Sequence, residues 1–144
     1  MVGLDTAPLI YFIEENPLYL DIVRPFFDAM DLGLFSAVTS TVTLLEVLVY
    51  PFRQGDMRLA QQYRDILLNA EWLTMVPLTN DIAEEASRLR AAHALRTPDA
   101  VQIATARHRE ASFFLTNDAR LPSLPELRVL ILGQFRDSLR CPGR

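Results

Sequence analysis

Short apolar runs alternate with longer stretches of helical periodicity along this chain, and four apolar segments carry an acid at or near their end. These are Val2-Gly3-Leu4-Asp5, Thr41-Val42-Thr43-Leu44-Leu45-Glu46-Val47-Leu48, Thr97-Pro98-Asp99-Ala100-Val101 and Phe114-Leu115-Thr116-Asn117-Asp118. Short apolar strands separated by helices need crossover connections, which give a parallel sheet covered on both faces. The pattern therefore predicts an α/β chain: a three-layer sandwich with a central parallel sheet of about five strands flanked by helices.

The predicted strands are Val2–Asp5, Gly33–Ala37, Trp72–Val76, Ser112–Leu115 and Arg128–Leu132. Between them, helices are expected over Thr6–Glu14, Tyr19–Met30, Val42–Arg53, Met57–Asn69, Asp81–Leu95 and Asp99–Arg109, with Asn16-Pro17 ending the first, Thr41 capping the third, and Thr97 and Pro98 opening the last. No repeat, low-complexity tract or linker interrupts the 144 residues, so one domain over 1–144 is expected. A chain of this length buries roughly 68–70% of its unfolded surface and needs no covalent staple.

Ligand sites of open parallel sheets lie outside the carboxyl ends of the strands, where strand order reverses. Asp5 ends the first strand and Asp118 follows the fourth, while Glu46 and Asp99 lie in helices that start at the same sheet edge. An ionised carboxylate against apolar surroundings costs several kcal/mol unless it is paired, hydrogen-bonded or metal-bound. Asp5 and Glu46 have no basic residue within six positions. A shared Mg²⁺ or Mn²⁺, one ion or two, cancels the repulsion of such a cluster with the oxygen ligands it prefers.

Each acid also has a plain structural reading. Asp5 suits the N-cap of the helix that follows, Asp99 sits where the helix dipole favours negative charge, and Asp118 lies in a polar turn. Glu46 discriminates best, because Val42, Thr43, Val47, Val49 and Tyr50 leave it little polar surface. Thr6 either donates its hydroxyl to the site or caps a helix, and Thr116 and Asn117 either hold water and phosphate oxygens or serve the turn. Arg96, Arg107, Arg109 and Arg120 flank the third and fourth acids as candidate phosphate contacts or solvated charges. Tyr11, Phe12, Phe26, Phe27 and Tyr63 have the spacing of core or dimer contacts, and Glu14-Glu15 and Glu84-Glu85 that of solvated faces. His93 and His108 lack the spacing of a zinc peptidase.

Net charge is −4, which does not speak against a nucleic-acid partner, since four clustered acids account for it and bound cations would neutralise them locally. All 14 basic residues are arginine. The absence of lysine removes the P-loop. It also removes phosphotransfer receivers and haloacid-dehalogenase-like phosphatases, whose resemblance would imply a lysine for the phosphoryl oxygens. Cys141 is the one cysteine, which excludes an internal disulfide and a cysteine zinc site and suits the cytoplasm. No uncharged stretch approaches the ~18 residues of a membrane span, and the Met-Val-Gly-Leu-Asp start lacks a signal sequence's basic region, so no membrane association is expected.

Leu4-Asp5-Thr6-Ala7, Glu46 in its apolar helix, the run from Thr97-Pro98-Asp99 to Ala104-Thr105-Ala106, and Thr116-Asn117-Asp118 together resemble, end to end, the pattern of PIN-domain ribonucleases, in particular VapC-type toxins of toxin–antitoxin pairs. The resemblance implies a Mg²⁺- or Mn²⁺-dependent endoribonuclease, homodimeric and silenced by a cognate antitoxin protein, with Asp5, Asp99 and Asp118 as metal ligands and Glu46 orienting a water or holding a second ion. The alternative from a different class is a catalytically idle domain of this fold acting in binding or dimerisation.

Overall fold

The computed structural model describes residues 1–140, with side chains described as far as residue 136. Cys141, on which the disulfide and zinc arguments rest, lies outside the described residues. Five parallel strands, β1 (Val2–Leu4), β2 (Ala37–Ser40), β3 (Leu73–Val76), β4 (Phe113–Thr116) and β5 (Arg128–Ile131), lie side by side in the order β3-β2-β1-β4-β5. The helices are α1 (Thr6–Ile13), α2 (Leu20–Asp31), α3 (Thr41–Gln54), α4 (Met57–Asn69), α5 (Asn80–Ala92), α6 (Thr97–His108) and α7 (Leu132–Arg140).

Alternation along the central strands sends side chains into two cores. Gly3 and Phe114 face the layer of α5 and α6, where Ile82, Leu89, Val101 and Ile103 are buried. Leu4 and Leu115 face the layer of α1, α2 and α4, packed with Leu9, Val23, Phe27, Tyr63 and Leu67. The three-layer sandwich with a five-stranded parallel sheet is thus as the strand–helix pattern predicts. Among the described residues no helix is long and apolar enough to cross a membrane.

α6 crosses β1 so closely that a Cβ at Gly3 would lie 2.6 Å from the Ala106 Cβ and 2.8 Å from the Phe114 ring. Such overpacking costs about 1–3 kcal/mol, so Gly3 is fixed by the approach of the helix. Every residue of α6 from Ala100 to Ala106 is buried, as befits a helix enclosed on all sides. Its two polar members are satisfied: Thr105 donates to the Val101 carbonyl, and Gln102 bonds into β2 and α3.

Several boundaries differ from the sequence expectation, for local reasons. The second strand is Ala37–Ser40, not Gly33–Ala37, because Gly33 at φ 75° closes α2 with its N–H on the Met30 carbonyl. Ser40, not Thr41, caps α3, accepting from Val42 N at 3.1 Å, and Arg96, not Thr97, holds the N-cap position of α6. The helix expected to reach Leu95 stops at Ala92, since His93 turns extended and the chain must redirect into α6. α7 is a helix the apolar run Val129–Leu132 concealed, that run reading as strand throughout. Of the aromatics expected as core or dimer contacts, Phe27 and Tyr63 are buried while Tyr11, Phe12 and Phe26 are half-buried; Phe12 stacks on Phe27 at 4.1 Å, and Trp72 meets Phe27 edge-on at 5.6 Å.

Candidate active site

From β1 the chain steps outward to β2 and β3 on one side, then returns to place β4 and β5 on the other. The reversal point lies between β1 and β4, and the candidate site opens beyond their carboxyl ends. Asp5, Glu46, Asp99 and Asp118 all line one cleft there, of about 400 Å³, together with Thr6, Tyr11, Asn117, Arg96 and Arg120. A larger depression, about 970 Å³, lies between α1, α2 and α4. It contains no member of the acid quartet, so the chemistry is argued from the smaller cleft.

Asp5 fulfils its structural reading and still faces the cleft. One carboxylate oxygen accepts from Thr6 N at 2.8 Å as the cap of α1, and the other accepts from the Thr116 hydroxyl at 2.7 Å. Burial pushes its pKa above the ordinary value; the two hydrogen bonds oppose this in part, and the charges of Asp99 and Asp118 add to it. Glu46 projects from α3 and accepts from the Thr6 hydroxyl at 3.0 Å. Its pKa is likewise raised, first by burial and then by Asp5 and Asp99. Of its two expected parts Thr6 takes the first, donating its hydroxyl to Glu46; the cap of α1 is Asp5, to which Thr6 gives its backbone N–H.

The other two acids have cations of their own. Asp99 pairs with Arg96 at 3.1 Å, and Asp118 is gripped by Arg120 through two bonds of 3.0 Å, which hold its pKa below the usual range. Asp118 also makes its turn, accepting from Arg120 N while its own N–H donates to the Thr116 hydroxyl. Thr116 thus joins Asp118 to Asp5. Asn117 is engaged with protein at both ends of its amide: Nδ2 donates to the Tyr11 hydroxyl and Oδ1 accepts from Gly133 N, each at 3.0 Å. The remaining flanking arginines lie apart from the cleft, Arg107 on Glu85 and Arg109 exposed. His93 is half-buried and His108 exposed. Glu84 and Glu85 pair with Arg88, while Glu14 is exposed yet accepts from Tyr63.

Among the described residues no group of three or more acidic, histidine or cysteine side chains is placed so that it could hold a metal ion as it stands. The donor chemistry nevertheless fits a hard divalent cation. Four carboxylates share the cleft; Asp99 and Asp118 raise the cost of ionising Asp5, Asp5 and Asp99 raise that of Glu46, and among the described residues neither Asp5 nor Glu46 has an ion pair of its own. Arg96 and Arg120 occupy the oxygens that a cation would take from Asp99 and Asp118.

Sequence reasoning missed Tyr11, the α7 amide of Gly133, and the buried trio Thr39, Thr43 and Gln102 that ties β2, α3 and α6 together. A signal for the last existed. Gln102 stands between Val101 and Ile103 inside an otherwise apolar run, where an amide must find partners.

Fold and cleft together define a parallel α/β domain with an acidic site at its topological switch point. Residues 2–127 match the model of the PIN domain, and the chain belongs to the PIN domain family. In fold it is similar to a chain of a toxin–antitoxin complex from Klebsiella pneumoniae, with 21% identity, TM-score 0.66, and coverage of 88% of this chain and 93% of that one. It is also similar to a chain of VapBC2 from Rickettsia felis bound to a DNA fragment from their promoter, with 18% identity, TM-score 0.71, and coverage of 91% and 98%. DNA-bound VapBC from Salmonella typhimurium contains a further match at 18% identity, TM-score 0.71, and coverage of 91% and 97%. Among curated proteins none matches the chain by sequence.

Proposed function

We propose that this chain is a metal-dependent endoribonuclease, a single domain over residues 1–144, and the toxin of a cytoplasmic toxin–antitoxin pair. Nuclease chemistry is typical of its family. Toxin–antitoxin assembly is what the printed descriptions say of proteins sharing its fold. The observation that carries the reading is the state of Asp5 and Glu46: enclosed, raised in pKa by burial and by their neighbours, and unpaired with any arginine. Capping α1 accounts for Asp5 but not for Glu46, set beside it at a cost in burial and without a cation of its own.

In this reading Asp5, Asp99 and Asp118, with Glu46, would hold one or two Mg²⁺ or Mn²⁺ ions. Bound there, a divalent cation would supply Lewis acidity toward a water and charge compensation for the departing oxygen. The chain's own residues set the stage. Thr116 and the Thr6 amide fix the two oxygens of Asp5, and the Thr6 hydroxyl aims Glu46, which would orient the attacking water. Arg96 and Arg120, exposed at the rim, turn from Asp99 and Asp118 to phosphate oxygens of the RNA. An antitoxin and a second copy of the chain are the expected partners.

The test is cleavage of a mixed structured-RNA pool by wild type, Asp5→Ala and Glu46→Ala, each with Mn²⁺, Mg²⁺ or excess chelator. Cleavage that needs both the metal and the two acids supports the nuclease. Inactivity of folded, metal-supplied wild type favours the idle binding module, and unchanged activity in both variants refutes the site.

A further inference from the structure

A buried polar relay ties together the segments that carry three of the four acids. Ser40 N–H, which can only donate, bonds Gln102 Oε1 at 3.2 Å and so fixes which way the amide faces. Gln102 Nε2 then donates to the Thr43 hydroxyl. The Thr39 hydroxyl faces two acceptors besides Thr43, the Leu4 carbonyl at 2.9 Å and, more distant, Gln102 Oε1 at 3.3 Å; with its proton on either, the 2.7 Å contact between Thr39 and Thr43 is completed by the Thr43 proton. The result is a connected chain, Gln102 to Thr43 to Thr39 to Leu4, with Gln102 Oε1 a second and longer acceptor for the Thr39 hydroxyl at 3.3 Å. All four side chains of this assembly, Thr39, Ser40, Thr43 and Gln102, are buried, and no buried side-chain nitrogen or oxygen among the described residues lacks a partner.

The positions of the anchors matter more than their satisfaction. Leu4 immediately precedes Asp5, Thr43 lies three residues before Glu46 on α3, and Gln102 lies three residues after Asp99 on α6. Each end of the relay is therefore within one helical turn of an acid, or adjacent to it. Asp118 alone is held from elsewhere, by Thr116 and Arg120. Hydrogen bonds cost little to satisfy with water at a surface, but three hydroxyls and an amide enclosed between helix and sheet are expensive to bury and hold a unique arrangement only when all are met.

We infer that Gln102, Thr43 and Thr39 are positioning residues, which set the spacing of Asp5, Glu46 and Asp99 for a divalent cation without touching it. The inference rests on the metal-dependent reading above. The relay hydrogen-bonds none of the acids itself, so the expected effect is the lower end of the roughly 10–100-fold that lost partners of metal ligands cost in affinity.

The experiment is direct Mn²⁺ binding to the full chain, without RNA, by titration calorimetry. Wild type, Asp5→Asn, Thr43→Val, Thr43→Ser and Gln102→Met are compared, with Leu67→Ala as a folded but destabilised control remote from the acids. Thr43→Val and Gln102→Met are expected to bind about tenfold more weakly or worse, Thr43→Ser and Leu67→Ala within about threefold of wild type. Circular dichroism at the titration temperature verifies that each is folded. If Thr43→Val does not fold, Gln102→Met and Thr43→Ala carry the same criterion. Wild-type binding that needs Asp5 but is unmoved by Thr43→Val or Gln102→Met overturns the relay alone. Equal losses in Leu67→Ala overturn it as well, by making the effect one of stability. Wild type that binds no Mn²⁺ overturns the metal reading and the relay with it.

Discussion

The two halves of the cleft treat their acids in opposite ways. On one side Asp5 and Glu46 are enclosed, bonded to amide and hydroxyl donors, and raised in pKa. On the other, Asp99 and Asp118 meet the exposed guanidiniums of Arg96 and Arg120. Neutral donors steer a carboxylate but leave its charge uncompensated in a poor dielectric, whereas an arginine compensates the charge and competes for the oxygens. The first half is thus the one whose charge the fold leaves unbalanced, and the second is a pair of acids balanced by arginines at the rim.

The largest expected effect sharpens the enclosed half. Asp5→Ala or Glu46→Ala should lower RNA cleavage roughly 10³-fold or more while far-UV circular dichroism stays native, as measured with saturating Mn²⁺. A loss of tenfold or less would place the enclosed acids outside the chemistry.

Arg96→Gln and Arg120→Gln probe the rim. Removing either should tighten Mn²⁺ binding by freeing a carboxylate, and weaken RNA binding roughly tenfold with a salt slope smaller by about 1. Opposite signs in the two titrations support arginines shared between acid and phosphate. Changes of the same sign break the comparison.

The pH dependence of stability separates the halves again. Asp5 and Glu46 have folded pKa values above their unfolded ones, so the folded state binds more protons in that window. Their contribution favours the fold at low pH and is lost as pH rises through the raised values. Asp118 has the reverse sign: its contribution is present above the ordinary carboxylate range and is lost as pH falls. Denaturant melts in chelator should show Asp5→Asn flattening the decline between acid and neutral pH, and Asp118→Asn removing stability at neutral pH only. The smallest effect is at the edge of the site: Asn117→Ala, which frees Tyr11 and Gly133 N, should cost about 1 kcal/mol and slow cleavage only a few-fold.

Much of this was legible in the residues, for physical reasons. Strand–helix alternation is a period signal that survives without knowledge of contacts, which is why the parallel sheet and its flanking helices follow from the order of apolar runs alone. The four acids were legible because a carboxylate on an apolar run is costly wherever it falls. What escaped were features decided by partners distant in sequence. Thr39 and Ser40 lie beyond the predicted strand Gly33–Ala37, yet they are buried in β2, where Leu4 and Gln102 satisfy them from remote segments. Gly33 looked like a strand opener until its positive φ made it a helix stop. The arginines flanked the acids visibly, but only the folded chain divides them into Arg96 and Arg120 on acids of the cleft and Arg107 on Glu85.

Thermal melts of wild type and Asp5→Asn at pH 7.5, with chelator and with Mn²⁺, test most directly whether Asp5 is kept for a cation. The account predicts that Asp5→Asn melts a few degrees above wild type in chelator, a gain of about 1 kcal/mol, and that Mn²⁺ raises the wild type alone. Asp5→Asn melting below wild type in chelator, with neither protein responding to Mn²⁺, would contradict it.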